Sequence, residues 1–252
     1  MSGHNKWSTI KHKKGANDAK RGKLFTKLIR EIEVAARIGG GDINANPRLR
    51  AVVSKARAAN MPKDNIDKAI KKGTGEIQGE AYEEIFYEGY GPAGVAMMIK
   101  TLTDNKNRTA SAIRATLSKY GGNLGENGCV GWMFKYKGVI TLDKSKYNED
   151  DVAGLALEIN ADDYSLKDDS WEIYIDPNET ENIKEILDSK KIEYLSVEAT
   201  MVPDNTLKLE ENEAIRMLKL LDVLDENDDV VDVYANYDID DAIIEKYEQT
   251  SG

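Results

Sequence analysis

Near the start of the chain, apolar and polar positions recur with a helical period. Over residues 17–38 the apolar side chains return every three to four positions, which places them on one face of a helix. Lysines and arginines fall on the opposite face, and Gly39 follows where glycine favours the end of a helix. The pattern predicts a first helix with a packing face and a cationic face.

Two shorter helices are predicted next. Asn46 and Pro47 combine an N-cap with proline at the first helical position, which is a typical helix start. A third apolar stripe follows Pro62 and stops at Gly73, and residues 76–80 have the composition of a linker. The sequence therefore predicts a small bundle of three helices joined by tight loops.

Beyond residue 80 the apolar positions take on the period of strands. Residues 138–202 read as strand, helix, strand, strand, helix and strand, the βαββαβ order of a ferredoxin-like unit. Around this unit, strands are predicted at 82–88, 95–102 and 230–234, and helices at 107–120 and 209–222. Parallel or mixed pairing of 230–234 with the two earlier strands would make the ferredoxin-like unit an insertion.

These elements predict an α+β protein with an N-terminal three-helix domain followed by two α/β domains, the last one ferredoxin-like and inserted in the middle one. A length of 252 residues is sufficient for two or three small domains. The expected boundaries are 1–80 for the basic helical domain, 81–136 plus 204–252 for a discontinuous α/β domain, and 137–203 for the inserted domain.

Charge is divided unevenly along the chain, whose net charge is −10. Residues 1–80 hold 18 Lys and Arg against 8 Asp and Glu, a net charge of +10, so the remainder holds 17 against 37, a net charge of −20. Such asymmetry points to binding of a polyanion by the basic part, and the acidic part is repelled by phosphate. Nucleic acid is the partner that this division favours.

The candidate contacts lie in the basic segment, because Lys and Arg side chains that neutralise phosphates supply affinity without regard to base sequence. An aromatic ring among them is expected either to stack on an unpaired base or to anchor the basic arm on the helices. The candidates are Lys6, Trp7, Lys11, His12, Lys13, Lys14, Lys20, Arg21, Lys23, Lys27, Arg30, Arg48 and Arg50.

The residues give little indication of catalysis or of metal or nucleotide binding. Cys129 is the single cysteine, and neither His4 nor His12 has a partner at the spacing of a metal site. The glycine-rich stretch 121–128 lacks the ending of a phosphate-binding loop, and the acidic run 225–232 lacks the spacing of a calcium loop. We therefore expect a protein that is not an enzyme, without cofactor or metal.

The cellular location is inferred from what the chain lacks. No apolar run approaches the roughly 18 residues that span a bilayer, and no apolar stretch follows the basic start, as a secretory signal requires. A single cysteine is typical of a reducing compartment. We expect a cytoplasmic protein with no membrane partner and no small-molecule substrate.

The chain contains a series of distinctive motifs, which are Trp7, Lys11-His12-Lys13-Lys14, Asp18-Ala19-Lys20-Arg21-Gly22-Lys23, Phe25-Thr26-Lys27, Gly39-Gly40-Gly41-Asp42, Asn46-Pro47-Arg48-Leu49-Arg50, Asn60-Met61-Pro62-Lys63-Asp64, Tyr87-Glu88-Gly89-Tyr90-Gly91-Pro92, Asp104-Asn105-Lys106-Asn107-Arg108-Thr109 and Gly121-Gly122-Asn123-Leu124-Gly125. Together these motifs resemble the YebC/PmpR family. The resemblance runs nearly the whole length; Ala93 and Cys129 stand where relatives often carry Gly and Ser or Ala. It implies three domains, a cytoplasmic location and no known catalytic activity.

The resemblance also implies a role in gene expression. Bacterial members are mostly described as DNA-binding transcriptional regulators, the mitochondrial relatives are translational activators of cytochrome c oxidase, and some bacterial members look like ribosome-associated translation factors. We therefore predict a nucleic-acid-binding regulator that acts on DNA or ribosomal RNA, with the ribosome or the transcription machinery as a further partner. The alternatives are a ribosome-associated translation factor and a protein-interaction adaptor without direct nucleic-acid binding.

Overall fold

A computed structural model describes residues 18–79, 81–167 and 169–250. Its helices are α1 (Asp18–Gly39), α2 (Pro47–Ala58), α3 (Lys63–Gly73), α4 (Lys106–Lys119), α5 (Glu149–Glu158), α6 (Thr180–Ser189), α7 (Glu211–Glu226) and α8 (Asp241–Thr250). Its strands are β1 (Glu83–Tyr90), β2 (Ala96–Thr103), β3 (Asn123–Leu124), β4 (Phe134–Asp143), β5 (Asp163–Leu166), β6 (Ser170–Ile175), β7 (Ser196–Pro203), β8 (Leu207–Lys208), β9 (Val230–Ala235) and β10 (Tyr237–Asp238).

The described chain divides into two compact units. One consists of Met133–Asn205, and the other contains the residues before and after that segment. The three N-terminal helices belong to the second unit, together with the sheet formed by β1, β2, β3 and β9. The division into three domains at the boundaries named above stays a prediction.

The predicted helical bundle is present in residues 18–79. Its core is formed by fully buried aliphatic side chains, among them Ile32, Leu49 and Val53. Asn46 caps α2 as predicted, because its side-chain oxygen accepts a hydrogen bond from the Leu49 amide at 3.0 Å. The Asn46 amide group also donates to the Ala35 carbonyl at 2.9 Å, so the cap residue joins α2 to α1.

The sheet of the larger unit has the order β3-β1-β2-β9, and all its pairs are antiparallel. The expectation of parallel or mixed pairing for the strand near 230–234 is therefore wrong. The turn before β9 lies beside the end of β2, where the Leu102 amide donates to the Asp229 carbonyl at 2.8 Å. Because β9 starts where β2 ends, it has to run in the opposite direction, and Met97 pairs with Ala235.

Met133–Asn205 forms the predicted ferredoxin-like unit. Its elements follow as β4-α5-β5-β6-α6-β7, and its antiparallel sheet has the order β5-β6-β4-β7. The core contains the fully buried side chains of Ile140, Ile173 and Leu187, with Trp171 close to fully buried. β4 starts at Phe134, four residues before the predicted strand, and so includes part of the extended stretch that precedes it.

Candidate nucleic-acid interface

The cationic face of α1 lies against the C-terminal end of α7. Lys27 is only 6% exposed, and its Nζ donates to the Asp225 carboxylate at 2.8 Å and to the Asp225 carbonyl at 2.6 Å. One turn earlier, the Nζ of Lys23 lies 3.4 Å from the Glu226 carbonyl. Cations are favoured there because the last carbonyls of a helix carry partial negative charge.

Arg30 continues this contact beyond the end of α7. Its Nη1 donates to the Asp228 carbonyl at 2.7 Å and to the Asp229 carboxylate at 2.9 Å, and it lies 3.3 Å from the Leu102 carbonyl. The guanidinium also lies over the ring of Tyr82, 4.8 Å from its centroid. Arg30 therefore connects α1 to β2 and to the turn before β9.

Asp229 is the centre of this contact. Its side chain is 8% exposed, and besides Arg30 it accepts hydrogen bonds from Thr109 at 2.7 Å and from Arg108 at 3.0 Å. Burial by itself raises the pKa of the Asp229 carboxyl. The hydrogen bonds from Thr109, Arg108 and Arg30 outweigh burial and hold that pKa below its ordinary value. Asp229 is therefore ionised while the protein is folded at neutral pH.

These contacts cover part of the cationic face of α1. Residues 225–229, which we call the acidic segment, supply the oxygens to which Lys27 and Arg30 bind. The segment lies 198 residues beyond Lys27 in the chain, so a helical wheel of α1 alone does not reveal it. Binding of phosphate by Lys23, Lys27 and Arg30 stays a prediction, and for Lys27 and Arg30 it requires the acidic segment to move.

Two further predicted residues also bind within the protein. Arg48 forms an ion pair with Glu84, which also pairs with Lys100. Burial raises the pKa of the Glu84 carboxyl, but the charges of Lys100 and Arg48 outweigh burial and lower that pKa. Arg50 donates to the carbonyl of Asn44 at 2.9 Å, and so supports the turn before α2. Both arginines are partly exposed and partly engaged in holding the helices together.

Arg21 lies at an exposed corner of the helices. Its Nη2 is 3.5 Å from the carbonyl of Asn60, whose φ of 58° lies in the left-handed region at the turn between α2 and α3. Arg57 and Lys63 flank this turn and are exposed. We call Arg21, Arg57 and Lys63 the basic corner. Arg21 was predicted as a contact from the sequence, whereas Arg57 and Lys63 were not, although two cations on either side of a predicted turn were a visible signal.

Seven further predicted contacts precede Arg21 in the chain. Lys6, Trp7, Lys11, His12, Lys13 and Lys14 lie outside the described residues. Lys20 lies in α1, and only its backbone is described.

A second exposed feature is the loop that leads to Trp132. The carboxylate of Glu88 accepts hydrogen bonds from the backbone amides of Gly128, Val130 and Gly131 at 2.7 to 2.8 Å. Burial raises the pKa of Glu88, and the three amide bonds outweigh it and lower that pKa. Trp132 is 72% exposed, and its indole nitrogen donates to the Cys129 carbonyl at 3.2 Å. The ring is thus held in place with its face in solvent.

Across the described ranges, no helix has the length and apolar character needed to cross a bilayer. In that part of the chain, no group of three or more His, Cys, Asp or Glu side chains is arranged to hold a metal ion.

Two family models match the chain. The model described as "TACO1/YebC protein N-terminal domain" matches residues 5–76, and "TACO1/YebC second and third domain" matches residues 82–237. The chain belongs to the TACO1/YebC family. The predicted family is thereby confirmed.

Relatives within the TACO1/YebC family cover almost the full chain. A "Probable transcriptional regulatory protein" of Syntrophobacter fumaroxidans is 55% identical over 98% of this chain and 99% of its own. One from Geobacter sulfurreducens is 56% identical over the same shares. Relatives of this family member are thus named as regulatory proteins and not as enzymes.

A solved structure has the same fold. The crystal structure of a conserved hypothetical protein from Aquifex aeolicus is 45% identical and superposes with a TM-score of 0.76, covering 88% of this chain and 92% of that one. The predicted α+β class, with helices followed by sheet-containing domains, is confirmed by this match and by the elements described above.

Proposed function

We propose that this TACO1/YebC family member is a non-enzymatic, cytoplasmic regulator of gene expression that binds nucleic acid through its basic N-terminal segment. The observation that carries the proposal is the division of charge, +10 in residues 1–80 and −20 in the rest. Polyanions approach the first part and are repelled by the second. The names of its relatives as transcriptional regulatory proteins agree with this proposal.

Within the described surface, the basic corner is suited to binding phosphate. Arg57 and Lys63 are exposed on both sides of one turn, and Arg21 reaches the same turn from α1. Long cationic side chains around a tight turn can follow the curved backbone of a nucleic acid without reading its bases. The basic residues at 6–14 add to this charge in the proposal.

The proposal is tested by titrating the full chain with labelled duplex DNA of mixed sequence at several salt concentrations. Arg57→Glu/Lys63→Glu is expected to weaken binding by about tenfold or more and to lower the salt slope, since each phosphate contact contributes about 0.9 to it. Lys184→Glu/Lys191→Glu, in the ferredoxin-like unit, makes the same change of charge and is expected to have a much smaller effect. Binding that ignores both salt and the corner substitutions would refute the proposal.

A second candidate function is association with ribosomal RNA, and Trp132 is the observation that favours it. A fixed indole with an exposed face suits stacking on an unpaired base, which RNA loops offer and duplex DNA does not. The test is co-sedimentation with ribosomes at about 150 mM salt, beside a DNA titration in the same buffer. Under this function, Trp132→Ala and Trp7→Ala weaken the ribosomal interaction more than the duplex one.

A further inference from the structure

The acidic segment presents to α1 the same kind of acceptor that a nucleic acid would present. Lys23, Lys27 and Arg30 extend over about 10 Å along one side of α1, given a rise of about 1.5 Å per residue. The segment meets them with carboxylate and carbonyl oxygens at hydrogen-bond distance. Each contact is polar and charge-assisted, as in binding of a phosphate backbone.

The contact leaves Arg30 incompletely satisfied. The Nε of Arg30 is buried and has no hydrogen-bond partner among the described residues, although its Nη1 has several. A buried guanidinium donor without an acceptor costs free energy. A tetrahedral phosphate offers several oxygens to one guanidinium, whereas the segment reaches Arg30 only through Nη1 in the contacts described.

A polar cleft opens beside this arginine. It has a volume of about 360 Å³ and is lined by Arg30, Asp104, Arg108, Asn227, Asp228 and Asp229. Two guanidinium groups thus face the same space, and the acidic segment supplies most of the negative charge in it. If residues 225–228 move away, the cleft keeps both arginines and loses the Asp228 carboxylate, while Asp104 and Asp229 stay in place.

The acidic segment is held unevenly, which allows part of it to leave. Asp229 is anchored by Thr109 and Arg108 and is almost fully buried. Asp225 is 34% exposed, and the side chain of Asp228 is exposed at the edge of the cleft. The first residues of the segment are therefore the releasable ones, and Asp229 is the anchor.

We propose that Lys27 and Arg30 form, beside the exposed Arg108, a latent phosphate-binding site, which residues 225–228 of the acidic segment cover and a nucleic-acid backbone uncovers. The inference rests on the proposed function and adds a regulation to it. In the covered state the exposed cations, among them those of the basic corner, are available to a polyanion. In the uncovered state the cationic face of α1 is available as well. The apparent affinity for nucleic acid is therefore the affinity of the uncovered state multiplied by the fraction of molecules that is uncovered.

The test compares Asp225→Asn/Asp228→Asn with wild type in titrations of the full chain with labelled duplex DNA. The substitution keeps the Asp225 and Asp228 carbonyls, which still accept from Lys27 and Arg30, and it leaves Asp229 in place. If the site is covered about 90% of the time, affinity is expected to rise about tenfold. Asp204→Asn/Glu185→Gln in the ferredoxin-like unit removes the same charge and is expected to change affinity much less.

A second measurement uses the wild-type chain and does not depend on how a variant folds. Amide hydrogen exchange over 225–228 is expected to accelerate when a duplex oligonucleotide binds, while exchange within Met133–Asn205 stays unchanged. Inorganic phosphate is the second probe. If only the oligonucleotide accelerates exchange, the site binds a nucleic-acid backbone. If inorganic phosphate accelerates exchange equally, the assignment of the site to a nucleic-acid backbone is overturned.

The outcomes separate this inference from the proposed function. If wild type binds DNA and the Asp225/Asp228 variant binds no more tightly than the charge-matched control, the latent site is overturned and the proposed function stands. If neither wild type nor the variant binds nucleic acid, the proposed function fails and the latent site fails with it. Tighter binding by the variant together with faster exchange over 225–228 supports both.

Discussion

The N-terminal helices and the ferredoxin-like unit use charged residues in different ways. In Met133–Asn205, the Lys135 and Asp204 side chains pair at 2.6 Å while 62% and 45% exposed. In the helices, Lys27 is buried against Asp225, which lies 198 residues further along the chain. The sign of a charge is visible in the sequence, but its energetic weight depends on whether it remains in water.

The largest effect is expected at Asp229. Asp229→Ala leaves Arg30, Arg108 and Thr109 without their common acceptor, and breaking a buried pair in this way costs about 3–5 kcal/mol of unfolding free energy. Urea unfolding measures the loss. Asp228→Ala is the matched control, since Asp228 gives Arg30 only its carbonyl, and a loss of similar size in the control would contradict this assignment.

The pH dependence of the same residue has a defined sign. The pKa of Asp229 is lowered in the folded state, so its stabilising contribution is complete above the pKa of the unfolded chain. It is lost as the pH falls through the folded pKa, where the carboxyl takes up a proton. The stability difference between wild type and Asp229→Asn is therefore expected to shrink below about pH 4. A difference that grows on acidification would mean that Asp229 is not the ionised anchor.

A smaller effect tests the packing of the helices without touching any charge. A Cβ atom on Gly73 would lie 2.4 Å from the Glu33 carbonyl oxygen and 2.7 Å from the Cβ of Ala36. Gly73→Ala is therefore expected to destabilise the protein by about 1–3 kcal/mol, as overpacking does. Gly22→Ala, in α1 with no atom within 4 Å of the added Cβ, is expected to stabilise it by up to about 1 kcal/mol. Equal signs for the two variants would refute the close approach of α1 and α3.

The features that could be predicted from the sequence are those that depend on residues close together in the chain. The cap at Asn46 and the βαββαβ order were predicted because each depends on neighbouring residues. The direction of β9 was not, because it is set by a turn that packs beside the end of β2. The burial of Lys27 was missed for the same reason, since the acidic segment that covers it is distant in the chain. The short terminal helix α8 was also not predicted.

Exposure of the residues in the candidate interface also depends on contacts between distant parts of the chain. Exposure of Arg57 and Lys63 depends on how α2 and α3 pack, and a count of charges does not distinguish them from Arg48, which pairs with Glu84. The position of Trp132 depends on Glu88, whose three amide partners lie about 40 residues further along the chain. Tertiary contacts, and not local composition, decide which residues of a basic segment are available to a partner.

The smallest effect is expected at the exposed pair in the ferredoxin-like unit. Asp204→Asn removes the charge that faces Lys135 but keeps the backbone amide of residue 204, which donates to the Met133 carbonyl at 2.9 Å. Because both side chains remain largely in water, the attraction is screened and the loss is expected to stay below about 0.5 kcal/mol. Urea unfolding of Asp204→Asn beside Asp229→Ala gives the comparison directly. If the two variants lost similar stability, burial would not be what separates the two regions, and the covered cations of α1 would carry no more weight than surface ones.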